Sequence, residues 1–237
     1  MSCEKKIKTS RGELCSPVKY IIELMKKIYI IYDNLGRDMQ IGEKIEFYKY
    51  EWRVLDIQKN AALIITEYII EKREYHTKKE ATWADCELRK YLNGEFYERF
   101  AENEKIRIIP VTNTTPDNPW YGTSGGADTE DKIFLLSIED AVCRYFGDSS
   151  RHLAHRTKSE KYWFAKKDEN NIKRVTNYPV EGSWGTWWWL RTPGRDNRFA
   201  VYIHGNGCVG INGNGITKRA KSVTGIGGVR PALWLKL

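Results

Sequence analysis

His204 and Cys208 are the C-terminal residues whose side chains could act together in catalysis. Asn206-Gly207 lies between them, and Asn-Gly is a strong signal for a tight hairpin turn. Across such a turn an imidazole could lie beside the thiol and activate it as a nucleophile. A hairpin also brings its flanking residues together without any chemistry. We therefore keep a Cys208/His204 enzyme as an alternative function and expect no catalytic residue.

The remaining candidates for metal or phosphate chemistry are weaker. His152 and His155 have a spacing that could bind a metal from one helix, but no third ligand accompanies them. The five cysteines are scattered and form no Cys-x-x-Cys pair, a pattern that favours reduced thiols over zinc or disulfides. The segment "GNGCVGINGNG" lacks the Gly-Lys-Ser/Thr of a phosphate-binding loop. We expect no metal and no cofactor.

The densest aromatic segment of the chain is "SWGTWWWLRTPG". Alternation along a strand places Trp187 and Trp189 on one face and Trp188 on the other. Full burial of one Trp contributes about 5 kcal/mol before opposing costs. We predict that Trp188 and Trp189 are core residues. Trp184 and Trp187, which lie beside glycines, remain candidates for stacking on a ligand.

Arg191 and Arg230 each follow apolar residues and precede a proline by one or two positions. A guanidinium in such a setting is expected to be at least half-buried, and it then needs a carboxylate or several carbonyl groups. We predict that both arginines are internal ties between late segments of the chain. The alternative is an anion clamp.

Polar and aromatic residues crowd the predicted turns between Arg195 and Thr217. Such residues on loops of a rigid scaffold are typical of binding surfaces, although hairpin turns also carry them without any ligand. In the strand 199–204 we expect Phe199, Val201 and Ile203 to face the core. The predicted ligand-binding residues are Arg195, Asp196, Asn197, Arg198, Tyr202, His204, Asn206, Asn212, Asn214 and Trp187.

An N-terminal extension, residues 1–40, is predicted to form an amphipathic helix. Ser16-Pro17 is a good helix start and Gly36 a good stop. The apolar positions recur at helical spacing, and they are Ile21, Ile22, Met25, Ile28, Tyr29 and Tyr32. This face packs on its own domain, on a second copy of the chain or on a membrane surface.

Residues 41–237 are predicted to form one α+β domain. Alternation over 44–70 predicts three short antiparallel strands, with turns at Lys49–Glu51 and Lys59-Asn60. Two helices follow, one opening at Thr82 and ending at Asn93-Gly94, the other capped by Ser137 and Asp140 and ending at Gly147. The C-terminal half reads as loop-rich hairpins with turns at each Asn-Gly pair, including Asn212-Gly213 and Asn214-Gly215.

Six blocks resemble a bacterial domain-of-unknown-function family found in Firmicutes. They are "WRVL", "ALIIT", "W-x-x-C-x-LRKYLNGEFY", "DKIFLLSIEDA", "WWWLRTPG" and "GVRPALWL". They occur in the family's order over Ile41 to Leu237, and their number makes the resemblance specific. The resemblance implies a C-type-lectin-like fold, related to formylglycine-generating enzymes and to the variable proteins of diversity-generating retroelements.

The relatives of this fold imply different functions. In the retroelement proteins, the stretch equivalent to Arg195–Thr224 displays diversified side chains that contact a ligand. Formylglycine-generating enzymes use a cysteine pair near the C-terminus, whereas this sequence has only Cys208 there. The calcium-site motifs of sugar-binding C-type lectins, Glu-Pro-Asn and Trp-Asn-Asp, are absent from the sequence. The resemblance therefore favours a recognition module over an enzyme or a calcium lectin.

The formal net charge of +8 permits anionic partners but identifies none. No nucleic-acid motif accompanies the basic clusters, so nucleic acid is unsupported as a partner. We expect a protein or cell-surface glycan ligand, and a homo-oligomer if the N-terminal helix mediates assembly. The sequence shows neither a signal peptide nor a transmembrane segment. Cytoplasmic location is the default expectation, with a phage virion or a surface reached by another route as alternatives.

Overall fold

The computed structural model describes residues 7–8, 14–15, 21–22, 25, 39–147, 153, 163–164, 169–176, 186–218 and 225–237. The chain divides into two compact units, Met1–Met39 and Gln40–Leu237.

In the first unit, strand β1 (Ile7–Lys8) pairs antiparallel with strand β2 (Leu14–Cys15). Ile21, Ile22 and Met25 have helical backbone and exposed side chains. The predicted helix start, its stop and its remaining apolar positions lie outside the described residues.

The second unit contains the other described strands. They are β3 (Lys44–Phe47), β4 (Tyr50–Gln58), β5 (Ala61–Thr66), β6 (Glu71–Glu74), β7 (Ile108–Ile109), β8 (Val111–Asn113), β9 (Thr129–Asp131), β10 (Trp163–Phe164), β11 (Trp188–Pro193), β12 (Phe199–Ile203), β13 (Val209–Gly215), β14 (Ile226–Val229) and β15 (Ala232–Lys236).

Two sheets organise this unit, and a small ribbon of β8 and β9 accompanies them. The first sheet is antiparallel, with strand order β3-β4-β5-β15-β7. The second has the order β10-β13-β12-β11-β14-β6, and only its β11–β14 pairing is parallel among the strands described. The predicted α+β class is confirmed, as are the three antiparallel strands β3 to β5. Their first turn lies at Tyr48-Lys49, slightly earlier than predicted.

Two chain segments pass side by side from one sheet to the other. The β5–β6 segment and the β14–β15 segment are joined by backbone hydrogen bonds, from Thr66 N to Pro231 O and from Ile70 N to Val229 O. Each segment therefore contributes one strand to each sheet. Arg230 lies between β14 and β15, at this junction.

The helical elements in the described part of the second unit are short. They are α1 (Glu87–Tyr91), a π-helical turn (Leu92–Phe96), a 3₁₀ turn (Tyr97–Arg99), α2 (Glu102–Lys105), a second π-helical turn (Asp140–Arg144) and α3 (Glu169–Arg174). The sequence predicted the segments around α1 and Asp140 but neither α2 nor α3. Ser137 and Asp140 form the predicted reciprocal cap, because each side chain accepts a hydrogen bond from the other's backbone N–H.

The predicted helix end at Asn93-Gly94 is wrong. The helical path continues past it to Arg99. The Asn93 side chain instead binds the neighbouring segment, accepting from Lys132 N at 2.7 Å and donating to Ile133 O at 2.8 Å. Because its amide is committed to that segment, Asn93 does not terminate the helix. The start is also later than predicted, since the Cys86 thiol caps α1 by accepting from Arg89 N.

The tryptophans of β11 form the centre of the core, as predicted. Trp188 and Trp189 are fully buried, and each indole N–H has a partner, Arg174 O at 3.1 Å for Trp188 and Arg73 O at 3.0 Å for Trp189. Trp187 lies on the same side as Trp189, with ring centroids 4.7 Å apart. Trp184 lies outside the described residues.

Candidate functional site

The turn between β11 and β12 carries the first group of predicted binding residues. Gly194 N donates to Phe199 O and Arg195 N to Asn212 O, so the turn is fixed to β13. Arg195 and Arg198 are exposed. Asp196 accepts from Arg198 Nε at 2.9 Å and Nη2 at 2.7 Å, and hydrogen bonds from Arg198 lower the pKa of Asp196. The turn therefore presents a preformed Arg–Asp pair beside a second cation.

Asn197 lies in the same turn and anchors it. Its carbonyl oxygen accepts a hydrogen bond from Ala81 N. Its side-chain oxygen is buried and has no hydrogen-bond partner among the described residues. This half-buried residue thus contributes more to the position of the turn than to its outer surface.

The turn between β12 and β13 carries the second group, at the other end of β12. His204 and Asn206 are exposed, and His204 Nδ1 lies 3.0 Å from Asn206 Oδ1. Gly207 N donates to His204 O at 2.8 Å, so the chain reverses over Gly205 and Asn206, and Gly207 follows with φ +84°. Asn206 Oδ1 also accepts from Cys208 N at 3.1 Å. The exposed imidazole and amide are therefore held by the turn itself.

Cys208, the candidate nucleophile, is buried, with 3% of its surface exposed. Asn171 Nδ2 donates to its sulfur at 3.6 Å. The backbone brings His204 close to it, because His204 N donates to Cys208 O at 2.8 Å. The described side-chain contacts nevertheless direct the imidazole to Asn206 and the thiol to Asn171.

Tyr202 and Trp187 lie between the two turns. Their rings meet edge to face with centroids 5.4 Å apart, and the Tyr202 ring covers Gly210 so closely that a Cβ there would overlap it. Burial raises the pKa of the Tyr202 hydroxyl to about 12. The two aromatic rings are half-buried and form a small apolar patch with one polar hydroxyl.

Asn212 and Asn214 were predicted to lie on turns, and this placement is wrong. Both are inside strand β13. Gly213 has φ +81° and the β12–β13 register shifts between Ala200 and Tyr202, which identifies an irregular stretch of the pairing rather than a chain reversal. Asn214 is buried and its oxygen accepts from Gly215 N at 2.9 Å. Asn212 remains half-buried.

The two turn groups do not meet. The five residues of β12 separate them, a distance of roughly 15 Å at the usual rise per strand residue. Along the strand, Val201 and Ile203 are core residues as predicted and Phe199 is half-buried, but Ala200 is buried as well. The predicted surface therefore consists of two polar ends joined by the Trp187–Tyr202 patch.

Arg191 is the predicted internal tie. Its Nη1 lies 2.9 Å from Asp140 Oδ2 and donates to Leu135 O at 2.8 Å. Its backbone oxygen accepts from the Tyr75 hydroxyl at 3.0 Å. Arg191 thus joins β11 to the helical turn at Asp140 and supports the strand that precedes the first turn group.

The residues that the structure describes contain no group of three or more His, Cys, Asp or Glu side chains arranged to hold a metal. His152 and His155 are outside them. Among the described helices, none is long and apolar enough to cross a membrane.

The chain thus has a mixed α+β fold whose C-terminal strands support two exposed turns. It belongs to the family described as domain of unknown function DUF6273, whose model matches residues 59–237. The match begins just before β5, so β3 and β4 precede it within the same compact unit. No curated protein and no solved structure matches the chain.

Proposed function

We propose that the second unit is a ligand-recognition module of the C-type-lectin-like kind. The observation that carries the proposal is the contrast within β11–β13, where wholly buried strand residues hold exposed polar turns. Arg195, Arg198, His204 and Asn206 are exposed, while Trp188 and its neighbours in the strand are buried. Binding residues are commonly found on such loops of a rigid scaffold.

The composition of the two turns supports a macromolecular ligand. Arginine, histidine and asparagine supply adaptable hydrogen bonds, and aromatic rings supply area at low entropic cost. A ligand that contacts both turn groups must span roughly 15 Å, which suits a protein or a cell-surface glycan better than a small metabolite. The same proposal includes three further points. The chain is bacterial, its fold is C-type-lectin-like, and it is related to the variable proteins of diversity-generating retroelements.

The test uses the full chain on a glycan array and on a display library of protein domains. Arg198→Ala and His204→Ala each remove an exposed side chain, one at each turn, so we expect little change in Tm and at least tenfold weaker binding of the captured ligand. Arg99→Ala is the matched control, because it removes another exposed arginine that is paired with a carboxylate, Glu95. Equal binding by all three variants would exclude this surface.

A second candidate function is assembly through the first unit. Ile21, Ile22 and Met25 expose 54%, 48% and 64% of their surfaces on helical backbone, and apolar side chains grouped in this way are typical of interfaces. We expect the triple variant Ile21→Ser, Ile22→Ser, Met25→Ser to lower the mass in solution if the chain self-associates. An unchanged mass by light scattering would remove this candidate.

A further inference from the structure

A cleft of about 400 Å³ opens at the junction where the two sheets exchange chain segments. The sequence did not point to it, because its walls come from four distant parts of the chain. Apolar side chains form most of the surface, and four charged residues join them. The apolar residues used below are Ile41, Leu55, Phe146 and Ile172, and the charged ones are Arg53, Glu67, Lys173 and Arg230.

Arg230 is the buried cation of the cleft, with 2% of its surface exposed. Its Nε donates to Thr66 O at 2.8 Å. Its Nη1 is buried and finds no hydrogen-bond partner in the described part of the chain. Burial lowers the pKa of Arg230 to about 10, so the guanidinium is still charged at neutral pH. A charged donor buried without a partner costs free energy that a bound acceptor would recover.

The carboxylate beside Arg230 is already bound by other cations. Glu67 accepts from Arg53 Nε at 2.8 Å and Arg53 Nη2 at 2.5 Å, and Lys44 Nζ lies 3.2 Å away. Burial opposes ionisation of Glu67, but the hydrogen bonds and charge of Arg53 outweigh it and lower the pKa. Of the charged side chains that line the cleft, Arg53, Lys173 and Arg230 are cations and Glu67 is a carboxylate. The net charge of the lining is therefore positive.

The rim of the cleft is apolar and exposed. Ile41 and Ile172 expose 67% and 77% of their surfaces, although both line the same cleft. Tyr145 also lines it, and its hydroxyl, whose pKa burial raises to about 12, is neutral at physiological pH. The cleft thus combines a buried cation, a neutral hydrogen-bond donor and an apolar rim.

We propose that this cleft binds a small organic carboxylate. The carboxylate group accepts from Arg230 Nη1, and the apolar body of the ligand lies against Leu55, Phe146 and the Ile172 rim. A planar guanidinium matches a carboxylate well. The apolar walls favour an anion that carries a hydrocarbon group over a free phosphate ion, which would gain nothing from them.

The experiment measures binding to the full chain by ligand-observed NMR with sodium hexanoate, benzoate, hexanamide and inorganic phosphate. We expect hexanoate and benzoate to bind at least tenfold more tightly than hexanamide, since the neutral amide offers no charge to Arg230. Phosphate should also bind at least tenfold more weakly. Binding by neither carboxylate, equal binding of hexanoate and hexanamide, or equal binding of phosphate would each overturn the proposal.

Variants locate the site. Ile172→Glu places a negative charge on the rim and should weaken hexanoate binding about tenfold. Ile106→Glu is the matched control, because Ile106 is 76% exposed and lies outside the cleft lining. Arg230→Lys should weaken hexanoate binding at least tenfold. If that buried variant fails to fold, the two glutamate variants still test the location of the site. Equal loss in the two glutamate variants, or no loss in Ile172→Glu, would refute this location. Arg198→Ala should leave hexanoate binding unchanged.

Discussion

Arg191 and Arg230 occupy similar sequence settings but very different surroundings. Both are buried, and one N–H group of each, Nε of Arg191 and Nη1 of Arg230, lacks a partner among the described residues. Arg191 faces Asp140 directly at 2.9 Å. The carboxylate near Arg230, Glu67, is instead held by Arg53. The role of a buried arginine therefore depends on whether the nearest carboxylate is paired with it or with another cation.

The largest effect is expected for Asp140→Asn, which tests whether Arg191 depends on its carboxylate partner. The substitution leaves the Arg191 guanidinium buried without its opposite charge, and removing one partner of a buried pair typically costs about 3–5 kcal/mol. We expect the free energy of unfolding, measured in urea, to fall by that amount. A loss below about 1 kcal/mol would mean that the surrounding carbonyl groups alone satisfy Arg191.

Arg230→Met should cost much less. Methionine fills similar space and removes the buried charge, at the expense of one hydrogen bond to Thr66 O. We expect a change in unfolding free energy within about 2 kcal/mol of the parent chain. A loss as large as that of Asp140→Asn would show that Arg230 is as fully compensated as Arg191, and the contrast between them would be wrong.

The smallest effect is the pH dependence contributed by Glu67. Its pKa is lowered from 4.5 in the folded chain, so its contribution to stability is fully present above the unfolded value and is lost as pH falls through the folded pKa. We expect Glu67→Gln to reduce the fall in stability below pH 4.5, by no more than about 1 kcal/mol because its partners, Lys44 and Arg53, are partly exposed to solvent. Identical pH profiles of urea unfolding for both chains would contradict this.

Local patterns predicted the parts of the fold that depend on nearby residues. Strand alternation identified the burial of Trp188 and Trp189, and cap spacing identified the Ser137–Asp140 pair. The same local logic failed at Asn93, whose amide binds a segment about 40 positions later in the chain. It failed at Asn214, which is taken up by strand pairing. Propensity at these positions is overruled by tertiary partners that a local pattern does not contain.

The two candidate sites also differ in how far the sequence could predict them. Turn signals correctly placed His204 and Asn206, because Asn206-Gly207 specifies its own conformation. The cleft could not be predicted, since Arg230 and Thr66 are separated by 164 positions along the chain. The pairing of Glu67 with Arg53, which determines the charge left in the cleft, is likewise a property of neighbouring strands β4 and β5.

Strand β15 lies between β5 and β7 in the first sheet. On the ribosome, β4 and β5 emerge long before their partner, and at common rates of translation the 164 positions between Thr66 and Arg230 take roughly 10 to 30 s to synthesise. During that interval one edge of "AALIIT" has no strand of its own chain to pair with. Such an apolar edge is a template for pairing with other chains. The exposed edge of β5 is therefore open to pairing with other chains until β15 has been synthesised.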